Sequence, residues 1–452
     1  MPQFSSNGLC SYGLSLTSEE ERQFGKVFLK HARENLNLIN DRVITSYVTS
    51  VGKKIVAQLP SQPFEYHFYV VQEEAYNAFA APAGHVFVNS GLLSAMENEN
   101  ELAGILSHEI AHVACRHISQ RIEHSQKIGL ATIAGVLAGV FMGGGAATGA
   151  ITTGSIAAGE SLALAYSREN EAEADQVGIK YLVKAGYNAK GLLSILNKIR
   201  ANNAFGPKEI PTYLTTHPAI DDRLIYIDTQ LQVHPEWQKA SIKTDGYIFE
   251  KVRTKAIALY GRPDTALSRF QWLVSKEPEN PLAQYGLALS LGRAGKNAQT
   301  LNTMKKAVTC NPADPDILLD LGKLYFSAGD YQQARTLLKG AMAFRPDDPE
   351  GYYLLGKSLF ETGDFHEAIE TLQKLLLLDP ECMEGYYYLG TAYGKIDCHA
   401  EAHYYLGIFF ERKGDDKNAV FHYKKALKLF AANTARITEI KERLEILQKE
   451  KD

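Results

Sequence analysis

Apolar positions recur at helical intervals over residues 18–60, with polar residues between them. Residues 65–90 (EYHFYVVQEEAYNAFAAPAGHVFVNS) change to short β-type runs around a Pro82-Ala83-Gly84 turn, which predicts a small sheet. A helical pattern resumes over 91–127. Residues 128–159 then break both patterns: these 32 residues hold no charge, nine Gly, eight Ala and only ten Ile, Leu, Val, Phe or Met. The run before Gly143-Gly144-Gly145 covers 128–142 and would be about 22 Å long as a helix, short of the roughly 30 Å apolar core of a bilayer. A flap or helical hairpin is expected there, able to touch a membrane peripherally, with a membrane-dipping segment and a true span as the alternatives.

The second half repeats. Pro278, Pro312, Pro346 and Pro380 are 34 residues apart, and Leu321-Gly322, Leu355-Gly356 and Leu389-Gly390 keep the same period. So do Gly295, Gly329 and Gly363, and then Ala334, Ala368 and Ala402. A 34-residue period with a mid-repeat Gly, a small residue and a closing Pro resembles the tetratricopeptide repeat, in which each unit is a pair of antiparallel helices. Leu406-Gly407 comes half a period early, so one helix near 399–412 is expected to close one repeat and open the next. The division that follows is 1–245 for the first domain, 246–435 for the repeats and 436–452 for a charged capping helix.

Composition narrows the function. The chain has 452 residues, 45% hydrophobic and 22% charged, which is globular, and 48 basic against 52 acidic residues leave a net charge of −4. No basic excess marks a nucleic-acid partner. Five cysteines, at 10, 115, 310, 382 and 398, are too few and scattered for a disulfide framework, and Cys10 reads as an ordinary cysteine. Residues 1–16 lack the basic start and apolar run of a secretory signal.

Two motifs carry chemistry. Residues 108–112 read His-Glu-Ile-Ala-His inside a helical stretch, ENELAGILSHEIAHVACRHIS, without a breaker. His108 and His112 then lie one turn apart on one face, where two imidazoles can chelate a Zn²⁺ ion and Glu109 can take a proton from water beside it. With 13 histidines in 452 residues, chance supplies about 0.02 such motifs. The second motif, Ser-Arg-Glu-Asn-Glu-Ala-Glu-Ala-Asp over 167–175, puts Glu171 and Asp175 on one helix face. Glu171 could be the third ligand, and Asp175 could accept the free N–H of a ligand histidine.

HEIAH followed about 60 residues later by SRENEAEADQVG resembles the zinc metallopeptidase family of the CAAX prenyl protease, in its soluble bacterial branch with a C-terminal tetratricopeptide domain. The resemblance runs from about residue 18 to the end. It implies a mostly α, α+β fold: a gluzincin-type zincin domain with a small sheet, then an α-solenoid. It also implies one Zn²⁺ per chain on His108, His112 and Glu171, with Asp175 behind them and Glu109 as the base. An edge strand, Asn77, Ala78, Phe79 and Ala80, would bind the substrate backbone. Where the family often reads Pro-Gly-Gly, this chain has Pro82-Ala83-Gly84. The family's His and Arg six residues apart match His217 and Arg223. There His217 either stabilises the oxyanion with Arg223 in support, or occupies the fourth zinc position as an inhibitory latch. The latch is the expected resting state.

The implied activity is zinc-dependent endopeptidase, acting on unfolded or stalled envelope proteins. Outer-membrane β-barrels and their assembly machinery would be recruited through the repeats. The expected compartment is the periplasm, with the signal removed, or alternatively the cytoplasm. Two competing readings are a repeat adaptor or chaperone with a vestigial zinc site, and a membrane-embedded protease, which the absence of convincing spans disfavours.

Overall fold

The computed structural model describes residues 17–124, 166–203, 212–430 and 434–449. The Gly/Ala-rich segment 128–159, with its expected flap, and residues 1–16 with Cys10 lie outside the described residues. The chain forms two compact units: Met1–Ser275 with Leu289–Gly295, and Lys276–Ala288 with Lys296–Asp452.

In the first unit, helix α1 (Ser18–Asn35) starts at a reciprocal cap between Thr17 and Glu20, and α2 (Arg42–Val56) starts at Asp41, whose carboxylate accepts from Val43 and Ile44 N–H. Strands β1 (His67–Val71), β2 (Ala78–Ala81) and β3 (His85–Asn89) form a sheet of order β1-β3-β2. β1 runs parallel to β3 with His67 beside His85, and β2 runs antiparallel with Ala78 beside Val88. β2 is therefore an edge strand of this sheet. The sheet carries apolar side chains on both faces because helices cover it: Phe28 of α1 meets Phe87 edge-on at 5.9 Å, and Phe79 stacks on Phe87 at 4.8 Å. The Pro82–Gly84 turn is a single 3₁₀ turn with Ala83 at φ 61°, a left-handed conformation that costs glycine nothing and alanine about 1 kcal/mol or more.

The helical stretch expected over 91–127 is broken twice. It forms α3 (Ser90–Ala95), α4 (Glu99–Ala114) and α5 (His117–His124). Asn98 caps α4 through the Glu101 N–H, and Arg116 at φ 53° separates α4 from α5. After these come α6 (Arg168–Lys184), α7 (Lys190–Asn203), α8 (Thr212–Thr216) and α9 (Ile220–Val233). α4 is buried over nearly its whole length, packed by α2, α6, α7 and β2. Residues 246–275, which the repeat pattern places with the second half, contribute Phe249, Val252 and Ala256 to this core. The sequence division at 245 is thus one of pattern, and the packing division lies further along the chain.

The second unit is built of helix pairs, among them Pro315–Ser327 with Tyr331–Phe344, Pro349–Glu361 with Phe365–Leu378, and Met383–Lys395 with His399–Arg412. The turn glycines Gly329, Gly363 and Gly414 stand at φ 77°, 84° and 75°, where a side chain would be strained. Helix His399–Arg412 packs against both Met383–Lys395 and Asp416–Leu429, so it closes one repeat and opens the next. Helix Thr434–Lys449 covers the end, burying Ile440, Leu444 and Leu447 with Tyr404 and Tyr423. Of the repeat tyrosines, Tyr352 is buried in the core and Tyr387 is exposed. Among the described residues no helix is long and apolar enough to cross a membrane.

Candidate metal centre

α4 and α6 build the site by lying unusually close. A Cβ at Gly178 of α6 would stand 3.0 Å from Ser107 O and 3.2 Å from His108 N, so a side chain there would press on the backbone of the histidine helix, and glycine relieves that crowding. Ser167 caps α6 with Asn170 returning the bond, which fixes where its first turn points.

Four side chains converge there with no solvent exposure: His108, His112, Glu171 and His217. One potential ligand atom from each lies within 4.8 Å of all the others. His108 Nε2 and His112 Nε2 are 3.0 Å apart. Glu171 Oε2 is 3.4 Å from His108 Nε2, and its Oε1 is 3.3 Å from His112 Nε2. His217 Nδ1 is 3.0 Å from Glu171 Oε1 and 3.4 Å from His108 Nε2. His217 comes from the turn after α8: its N–H donates to Tyr213 O at 2.7 Å, its ring stacks on Tyr213 at 4.3 Å, and the following Ala219 is left-handed at φ 60°.

Polar atoms in this cluster are left over. Among the described residues, both Glu109 oxygens, Glu171 Oε2, His217 Nε2 and Arg223 Nη1 have no hydrogen-bond partner, although Arg223 Nη1 and Glu171 Oε2 stand 2.6 Å apart as an ion pair. Unsatisfied groups at such depth are costly. Three imidazole nitrogens and one carboxylate oxygen turned on a common point form a donor set that suits a tetrahedral divalent cation. The residues therefore fit a metal.

Asp175 and Arg223 stand behind the cluster. Asp175 Oδ1 is 2.9 Å from His108 Nδ1. Arg223 grips the same carboxylate at two points, Nε to Oδ2 and Nη2 to Oδ1, both at 2.8 Å. Its guanidinium thus faces Asp175, Glu171 and the His108 ring. On the other side His112 Nδ1 lies 2.9 Å from His117 Nδ1, His117 Nε2 lies 3.2 Å from Glu173 Oε2, and Tyr166 stacks on the His112 ring at 3.8 Å.

The charges are tuned by this packing. Burial pushes the Glu109 carboxyl above its ordinary range. Burial acts the same way on Glu171 and Asp175, but Arg223, helped by the histidines, outweighs it and holds both below the usual carboxylate range. For His108, burial and Arg223 push downward, yet Asp175 and Glu171 win and lift it to about 9, the electrostatic counterpart of an Nδ1–H held by Asp175. His112 Nδ1 meets His117 rather than a carboxylate among the described residues, and burial drives His112 well below the ordinary value.

The structure brings together His108, Glu109, His112, Glu171, Asp175, His217 and Arg223. The expected substrate strand is shifted by one residue: β2 is Ala78–Ala81, Asn77 precedes it with its carbonyl accepting from Asn89 N–H, and Asn77, Ala78, Phe79 and Ala80 are all buried beside α4. The sequence reading missed His117, Glu173, Tyr166 and Tyr213. His117 and Glu173 could have been noticed only as a further His and Glu inside the two motifs. The stacking tyrosines left no local signal. Cys310, Cys382 and Cys398 are free.

Residues 43–230 match the sequence profile of Peptidase family M48. Tetratricopeptide repeat profiles match 261–299, 293–358, 325–393 and 400–433. The chain is 30% identical over 312 residues to the beta-barrel assembly-enhancing protease of Yersinia pestis, covering 67% of this chain and 63% of the relative. It is 27% identical over 321 residues to the protein of the same name in Escherichia coli (strain K12), covering 69% and 65%. The mitochondrial metalloendopeptidase OMA1 of Schizosaccharomyces pombe is 27% identical over 224 residues, covering 48% and 62%. The chain thus spans less than two thirds of the length of these relatives.

Proposed function

We propose that this chain, in which a peptidase family M48 domain precedes tetratricopeptide repeats, is a zinc-dependent endopeptidase held in a latent resting form. The observation that carries the reading is Glu109: a fully buried carboxylate, both oxygens without a hydrogen-bond partner among the described residues, beside a cluster of imidazole nitrogens and a second carboxylate. A stable core would not keep such a group without a use for it. His108, His112 and Glu171 would hold one Zn²⁺ per chain, and bound zinc supplies a Lewis acid that polarises a peptide carbonyl and acidifies a water. Glu109 would be the base that accepts a proton from water there and returns it to the leaving amine. Burial, which raises its carboxyl, makes it the stronger base. The edge of β2, with Asn77 before it, would pair with an extended substrate backbone.

The same geometry supports latency. Glu109 and all four potential ligands are shut off from solvent, and His217 Nδ1 stands among the ligand atoms, where a fourth ligand would lie. His217 would have to leave before water and substrate could enter. Arg223 supports the reading as the residue that holds Asp175 and faces Glu171.

The repeats would recruit clients. Relatives are named as beta-barrel assembly-enhancing proteases, and by that likeness we infer unfolded or stalled outer-membrane β-barrel proteins as clients and the periplasm as the compartment. The experiment is metal analysis and casein proteolysis of wild type and Glu109→Gln. The expected result is one zinc in each and a loss of roughly 10²–10⁴-fold in rate for the variant. A chain without zinc, or a variant as active as wild type, would overturn the proposal.

A further inference from the structure

His117 lies five positions after His112. On an unbroken helix that is about 500° of rotation, which would leave the two side chains about 140° apart around the axis. They meet instead, Nδ1 to Nδ1 at 2.9 Å, because the helix stops at Ala114 and restarts at His117. The hinge is Arg116 at φ 53°, a backbone conformation L side chains seldom adopt. It is held by α1: Arg116 Nε and Nη2 both donate to Glu21 Oε2, at 3.0 and 2.8 Å, and the Ser119 hydroxyl donates to the same oxygen. Glu21 is itself buried. A strained residue fixed by a buried ion pair, with a fully buried histidine as its product, calls for a reason.

Resting on the reading of His108, His112 and Glu171 as zinc ligands, we propose that His117, oriented by Glu173, is a positioning residue that fixes the tautomer and ring orientation of His112. If His112 Nε2 gives its lone pair to the metal, its proton sits on Nδ1 and is donated to His117 Nδ1. His117 then carries its own proton on Nε2 and donates it to Glu173 Oε2, 3.2 Å away. Every donor in this chain meets an acceptor in one consistent direction. His108 receives the equivalent support from Asp175 directly, at 2.9 Å. Three of the four acids of α6 thus divide the work: Glu171 binds, Asp175 orients His108, and Glu173 orients His112 through His117. The relay is needed because, among the described residues, it is His117 and not a carboxylate that meets His112 Nδ1.

The test measures zinc affinity by chelator competition in the full chain, with circular dichroism to confirm folding. His117→Phe keeps the volume and removes the acceptor; zinc should bind about 10–100-fold more weakly. His117→Asn places an oxygen where His117 Nδ1 accepts, and should restore most of the affinity along with the visible absorption spectrum of the Co²⁺-substituted protein. Glu173→Leu, at a side chain one third exposed, should shift affinity in the same direction as His117→Phe, and it still decides the matter if His117→Phe does not fold. Unchanged affinity in all folded variants would overturn the proposal, as would equal losses for Phe and Asn, which would mean packing alone. A wild-type chain that binds no zinc would overturn the metal-centre reading itself, and this proposal with it.

Discussion

His217 Nε2 lies 3.6 Å from Oε1 of Glu109, with both side chains fully buried. With its Nδ1 also 3.0 Å from Glu171, the imidazole bridges the proposed base and a proposed ligand, and in the proposed latch it would fill the space an attacking water needs.

His217→Ala should therefore raise basal casein cleavage severalfold and favour self-cleavage, with zinc content unchanged. The opposing role predicts the reverse: losing an oxyanion donor should lower kcat by about 10²–10³. Steady-state kinetics of the zinc-loaded variant separates the two, and a fall of that size would exclude the latch.

Arg223 is a second lever. Its two-point hold on Asp175 and its contact with Glu171 put one cation between two buried carboxylates. Arg223→Leu leaves both uncompensated and should cost about 3–5 kcal/mol of stability in urea denaturation. Adding Asp175→Asn should recover part of that loss. Additive losses in the double variant would show that the two residues act independently.

The sequence exposed the chemistry and the repeats better than the geometry that joins them. His108 and His112 were legible because helical spacing alone puts them on one face, and the 34-residue period because each repeat reuses one turn glycine and one proline. The break at Arg116 was not legible: ENELAGILSHEIAHVACRHIS contains no Gly or Pro after Gly104, and the turn is imposed by Glu21, almost a hundred residues away. His117 was invisible as a partner of His112 for the same reason. Arg223 was noticed by family resemblance as a helper of His217, yet its direction depends on which carboxylates α6 offers, a fact of packing. The β2 boundary slipped by one residue because neither Asn77 before the strand nor Ala81 at its end is a Gly or Pro that would mark a limit, and pairing with β3 decides where it starts.

Gly178 tests how tightly the two motif helices are coupled. Alanine is the better helix former by about 1 kcal/mol, so an exposed site would gain stability. Here the added methyl would press on the backbone at Ser107 and His108. Gly178→Ala should instead destabilise by about 1–3 kcal/mol and weaken zinc binding, since Glu171 and Asp175 ride on the displaced helix. Thermal denaturation with and without a chelator reads both effects; a stabilised variant with full zinc affinity would show that the helices can part freely.

His85 gives a prediction in pH. It sits in β3 with 8% exposure, its ring stacked on His67 at 5.3 Å and its Nδ1 3.2 Å from the Tyr69 hydroxyl. Burial first, then the charges of His67 and Arg33, push it from 6.5 down to about 4. Between those values the unfolded chain binds a proton that the folded chain refuses, so stability rises with pH across the window. The contribution is fully present above about 6.5 and is lost as pH falls toward 4; over the whole window it amounts to at most about 3 kcal/mol. Carboxylates titrate near the lower end, and His422 in the second unit is also pushed to about 4, so the slope of wild type alone is not diagnostic. The comparison that isolates His85 is urea denaturation of wild type and His85→Gln at pH 7.5 and 5. Gln keeps a polar group for Tyr69 but cannot charge. The wild type should lose more stability than the variant between the two values, by about 1–2 kcal/mol. Equal losses would mean that His85 is protonated in the folded sheet at pH 5 without penalty, and that the packing of β3 against β1 tolerates a buried cation.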